Sequence, residues 1–195
     1  MNNQWKKFVI PVLVHFVFWG IPTLSIAGPN ISKLLMGDYS LVSTLSCATS
    51  PSGFDADLIR IGNGGSYNAH VTGILSFDGN GNGSFDGDVL VLDHAQAGDG
   101  MVPLTPATVT SEFTYTVNTN ESFNIDQVST VTRTGGTQIG LVTIVDNILT
   151  EGQIGSQRNI LVMGDTKPNV EVITFPNGST VDRICGRSVI AIKIR

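Results

Sequence analysis

Charge is scarce in this chain of 195 residues: Asp, Glu, Lys and Arg together make up 14%, against roughly 25% in typical domains. Beyond residue 27 there are three lysines, Lys33, Lys167 and Lys193, and only four glutamates, so strong helix formers are few. Glycine, threonine, serine, asparagine and valine dominate instead, the composition of an all-β domain. Between Ile61 and Thr132 there is no Lys or Arg at all, while eight acidic residues occur. With a formal charge of −5, the chain is not expected to bind nucleic acid or an anionic membrane surface.

Catalytic signatures are missing too. There is no Gly-x-Ser-x-Gly elbow, no Ser-x-x-Lys motif at a strand–helix junction and no glycine-rich loop ending in Lys-Ser/Thr. Asp38, Asp86, Asp88 and Glu112 are scattered carboxylates whose spacing defines no acid–base pair. Past residue 27 the histidines are His70 and His94. With two cysteines expected to pair, they do not make a zinc ligand set and read as surface residues. No catalytic residue and no cofactor is assigned.

What is present starts with an export signal. Lys6 and Lys7 precede an apolar run from Phe8 to Trp19, and Ser25-Ile26-Ala27 forms a small-x-small cleavage site before Gly28. Pro11, Gly20 and Pro22 interrupt the run, which falls short of the about 20 apolar residues of a spanning helix. Residues 1–27 are therefore expected to be a signal peptide. Residues 28–195 should form a single exported domain, periplasmic or extracellular, with no membrane span after cleavage.

Cys47 and Cys185 lie 138 positions apart. In an oxidising compartment they are expected to pair, tying the first strand to the last as a closed antiparallel barrel requires; two free thiols are the alternative. Cys47 shares the parity of Tyr39, Leu41 and Leu45, whereas Cys185 lies opposite in parity to Ile190, Ile192 and Ile194. A bulge at Gly186 is therefore expected, to flip the register and bring the cysteines together; without it the pair would not be bonded in this way.

Period-two alternation runs along the chain. In Thr108–Asn118, Val109, Phe113, Tyr115 and Val117 share one face. A first strand is expected near 37–47 and a last one through Ile190–Ile194. Others are expected near 57–62, 67–77, 84–92, 121–133, 138–145, 158–163 and 170–175. Turns at Asn63-Gly64-Gly65 and Pro176-Asn177-Gly178 separate strands, and Asp146-Asn147 is read as a tight hairpin. The connection from Asp93 to Ala107 is long. The pattern predicts an all-β fold, an antiparallel up-and-down barrel of about 8–10 strands, with a β-sandwich as the alternative.

Phe77–Asp88 is the most patterned stretch. Asp78, Asn80 and Asn82 followed by Gly83 match the opening of a calcium loop, and with Asp86 they are a candidate weak calcium site. Val89 stands where a bidentate Glu belongs, so the competing reading is a glycine-tipped hairpin.

Gly37-Asp38-Tyr39 at the start of the first strand resembles the Gly-x-Trp opening of lipocalins and other calycins, with Tyr for Trp. The Phe-Asp-Gly-Asn-Gly hairpin and a cysteine near each end are similar to small exported bacterial barrels of calycin type. The resemblance implies a barrel over residues 37–194 that holds an apolar ligand, with Arg183 or Arg187 packed over Tyr39. The lipocalin Thr-Asp-Tyr element is absent. The inward set would be Tyr39, Leu41, Val71, Leu75, Phe85, Val89, Phe113, Tyr115 and Val117, either enclosing a ligand or packed solid as a core. The expected function is non-enzymatic binding of a small apolar molecule or a protein partner. Alternatives are an adhesive, surface-assembly sandwich subunit and a barrel enzyme similar to allene oxide cyclase.

Overall fold

A computed structural model describes residues 31–94, 104–136 and 138–195. Residues 1–27, expected to be a signal peptide, and most of the long connection after Asp93 lie outside them. A single 3-10 turn, Ile31–Leu34, precedes nine strands: β1 Met36–Ser50, β2 Ser66–Asp78, β3 Asn82–Asp93, β4 Leu104–Val117, β5 Ser122–Arg133, β6 Val142–Ile154, β7 Ile160–Gly164, β8 Val170–Thr174 and β9 Thr180–Lys193. Each of β1 to β6 pairs antiparallel with the next, and β9 returns to pair with β1. The sheet therefore closes into an up-and-down barrel. That closure replaces the sandwich alternative, because a sandwich leaves the first and last strands unpaired with one another.

β7 and β8 occupy one position in the wall. β7 joins the C-terminal end of β6 to β9 through Ile154↔Leu161 and Val162↔Ile190. β8 continues in the same direction through Ile144↔Thr174 and Val170↔Ile184. Pro168 accounts for the break between them, since a proline cannot donate to a ladder.

The other sequence departures have local causes. Residues 57–62 are not a strand; only an isolated bridge, Phe54↔Arg60, forms there, in a connection rich in glycine and aspartate. Asp146-Asn147 closes no hairpin. It forms a bulge inside β6 opposite Val128, with Asn147 at φ 61°, a left-handed conformation that asparagine tolerates. The bulge resets the alternation so that both Val145 and Ile148 are buried. No bulge exists at Gly186: the β1–β9 register runs unbroken from Tyr39↔Lys193 to Ser50↔Asp182. The parity conflict dissolves because Ile190, Ile192 and Ile194 face outward, while Val189 and Ala191 are buried beside Cys185.

Inside, one end of the barrel is packed with aromatic rings. Phe77 makes edge-to-face contacts with Tyr39, Phe113, Tyr115 and Phe123 at centroid distances of 5.6, 5.4, 5.0 and 6.5 Å, each worth about 0.5–1.5 kcal/mol beyond area burial. Gly83 and Gly152 lie beneath the rings of Phe113 and Phe123, where a Cβ would collide with them. The 3-10 turn closes this end: the Tyr115 hydroxyl donates to the Leu35 carbonyl at 2.8 Å, and Leu35 is fully buried.

Candidate functional site

Above the aromatic floor the barrel is hollow. A chamber of about 340 Å³ runs up to Asp93 and Arg133 at the opposite end. Its walls follow from strand alternation: along the chamber the inward positions of β2 to β5 are largely branched aliphatic or small residues, such as Ala69, Val71, Val89, Val109 and Val131, too short to fill the centre. All nine residues of the expected inward set lie inside the barrel, as buried core or packed against it. They divide into two layers. Leu41, Val71, Leu75, Phe85 and Val89 line the chamber. Tyr39, Phe113, Tyr115 and Val117 belong to the floor.

Two polar clusters stand out in a wall that Ser43, Thr143 and Thr150 also line. On the β4–β5 side, the Gln127 amide donates to Ser111 and Ser129, both at 2.8 Å, and the two hydroxyls bond each other at 2.8 Å. No buried side-chain nitrogen or oxygen among the described residues lacks a partner. A glutamine fixed in this way presents a polar edge to an otherwise apolar space.

The second group lies on β8 and β9. Glu171 is fully buried. It accepts from Arg183 Nε at 2.6 Å and from an Nη of Arg187. Arg183 Nη1 donates to the Tyr67 hydroxyl at 2.6 Å, and Arg187 Nη1 lies 3.0 Å from both Asp165 oxygens. Two guanidinium groups thus meet two carboxylates, and the network is neutral. Burial pushes the Asp165 carboxyl above its ordinary value despite the opposing pull of Arg187. Burial disfavours the charge on Arg183, but Tyr67 and Glu171 hold its guanidinium firmly protonated. Sequence reading missed this network, because its members are spread from Tyr67 to Arg187; the one available signal was two arginines flanking Cys185 at equal spacing.

Neither arginine packs over Tyr39. Lys193 takes that place, with Nζ 5.7 Å from the ring centroid, because Lys193 is the residue paired with Tyr39 across the seam. Burial, with Tyr115 close by, raises the Tyr39 hydroxyl above its ordinary value.

Cys47 and Cys185 are directly paired across β1 and β9, with Cα atoms 4.1 Å apart, and form a disulfide. It closes the barrel between Arg183 and Arg187. At the far end of the barrel, the candidate calcium residues form the tip of the β2–β3 hairpin. Asp78 Oδ1 accepts from the amides of Asn80 at 2.6 Å and Asn82 at 3.0 Å, which holds the Asp78 carboxyl below its ordinary value. Asp86 lies further along β3, paired with Ile74 and Thr110. Among the described residues no group of three or more His, Cys, Asp or Glu side chains is placed to hold a metal ion. His70 and His94 are exposed, His94 against Asn68 at 3.0 Å.

At the chamber's rim, Arg133 faces inward and forms no ion pair among the described residues. No protein-family model, curated protein or solved structure matches the chain.

Proposed function

We propose that this protein is an exported, non-enzymatic carrier barrel that holds one small, mainly apolar molecule in its chamber. The observation that carries this reading is the empty space above the aromatic floor. At about 340 Å³ it falls in the range of small-molecule sites, about 300–1,000 Å³. Leu41, Val71, Leu75, Phe85 and Val89 supply an apolar wall, and burial of a ligand's apolar surface contributes about 25 cal/mol per Å². Gln127 and Arg133 are the groups that would orient the occupant, meeting a hydroxyl or carbonyl in the middle and an electronegative end at the rim. Calycin-like architecture suits such a role, as the Gly37-Asp38-Tyr39 opening suggests, but the chamber supports the reading independently of that likeness.

Export fits the same picture. A disulfide is favoured in an oxidising compartment, and no helix among the described residues is long and apolar enough to cross a membrane. The protein recovered without denaturation from an exporting host should carry, in native mass spectrometry, one added small-molecule mass that disappears on unfolding. A mass equal to that of the bare chain, unchanged after incubation with apolar compounds, overturns the proposal.

A further inference from the structure

The outer wall of the barrel carries an apolar face that the chamber does not explain. Seven branched side chains cluster on four neighbouring strands: Ile74 on β2, Val42 on β1, Ile190, Ile192 and the adjoining Ile194 at β9, and Ile160 and Val162 on β7. Register brings them together. Val42, Ile190 and Val162 form one continuous row across three strands, and Ile192 and Ile160 are side by side in the next. Ser40 separates Ile192 from Ile74 in that second row.

The positions surrounding these side chains are Ser40, Thr44, Thr72 and Ser188, all exposed. Charge lies at the margins: Asp38 opposite Ile194, with the exposed Lys193 and Arg195 on either side of that isoleucine; Asp86 and Asp88 on β3, opposite Ile74 and Thr72; and Glu151 on β6, opposite Gly164.

The seven are 38% to 58% exposed. Together they present on the order of 600 Å² of apolar surface, the upper end of the largest patch on a typical monomer. With the hydroxyl-bearing positions around them, the face approaches the about 800 Å² per partner that a standard stable interface buries. Its composition is that of a homodimer interface, apolar and depleted of charge at the centre. The carboxylates of β3 and β6 on its two sides oppose an anionic lipid surface.

We propose that this face binds a second copy of the same chain. The two barrels pack wall to wall about a two-fold axis near Ile190, with each chamber separate and the acidic flanks left at the hydrated rim. A two-fold contact needs only one self-complementary patch, and a flat row of aliphatic side chains is self-complementary. Screening of the flanking carboxylates makes the association tighten with added salt.

Sedimentation velocity of the purified protein over a wide concentration range tests this. The sedimenting mass is expected to double as concentration rises, with the transition moving to lower concentration in salt. Ile190→Glu, which places a like charge beside the axis from both copies, is expected to give the monomer mass throughout. Thr108→Glu, on the exposed outer face of β4, should leave the doubling intact. Unchanged far-ultraviolet circular dichroism of both variants separates lost association from lost folding. A wild-type monomer mass at every concentration overturns the proposal, as does a doubled mass that Ile190→Glu leaves unaltered. A monomer that floats with phosphatidylcholine vesicles also overturns it, and assigns the face to lipid.

Discussion

Glu171 is buried yet lies between two cations, with Arg183 Nε 2.6 Å away and Arg187 on its other oxygen. The arrangement sits inside the barrel wall, directly beside the seam, and its stability depends on completeness. Removing one partner of a buried ion pair strands the other charge, at a cost of about 3–5 kcal/mol. Glu171→Ala is therefore expected to destabilise the protein by that amount in urea denaturation. Glu171→Gln keeps an acceptor for Arg183 and should cost less. Equal and small effects of both substitutions contradict the reading.

The disulfide makes a separate contribution. Joining residues 138 positions apart restricts the unfolded chain, worth about 4–5 kcal/mol by chain-entropy reasoning. Cys47→Ser, Cys185→Ser and the double variant should each lose this amount, because each removes the same single cross-link. Denaturation of the unmodified protein with and without dithiothreitol should show the same difference. A double variant as stable as the oxidised protein would mean that ring closure relies on β1–β9 pairing alone.

These two devices mark the boundary of what the sequence discloses. Strand alternation was plain in Thr108–Asn118, and it located inward residues of β1 to β4, because the aromatic and most of the aliphatic side chains of each fall on one face. It misled at β9. Val189 and Ala191 alternate with isoleucines, so both faces look buried, and only pairing with Tyr39 and Cys47 reveals which points inward. The Asn147 bulge was hidden for a related reason: an asparagine that accepts a left-handed backbone reads as a turn whether or not the strand continues. Of the aromatic floor, Tyr39, Phe113 and Tyr115 were legible as inward residues by parity, whereas Phe77 and Phe123, at strand ends beside turns, were not. The Tyr67–Arg183–Glu171–Arg187–Asp165 network was not, since nothing local in the chain distinguishes a buried charge from a solvated one.

At the β2–β3 hairpin, Asp78 organises the tip through the amides of Asn80 and Asn82. Its carboxyl is held below the ordinary value of 3.8, so the folded state prefers the ionised form. The contribution is fully present above 3.8 and is lost as pH falls through the depressed folded value. In a nuclear magnetic resonance titration, the Asn80 and Asn82 amide shifts should move together below the usual carboxylate range. Asp78→Ala should abolish that titration and speed hydrogen exchange at both amides. Amide shifts that ignore acidification contradict the assignment.

The chamber is the centre of the account, and occupying it by mutation is the most direct measurement. Val71 lines the chamber midway along β2. Fluorescence titration with the neutral apolar dye N-phenyl-1-naphthylamine should give saturable binding of one dye per chain. Val71→Trp, confirmed as folded by circular dichroism, should weaken that binding by about tenfold or more, which is about 1.4 kcal/mol. Dye that fails to bind the unmodified barrel, or that binds the Val71→Trp variant equally well, would contradict the claim that this protein carries a ligand inside its barrel.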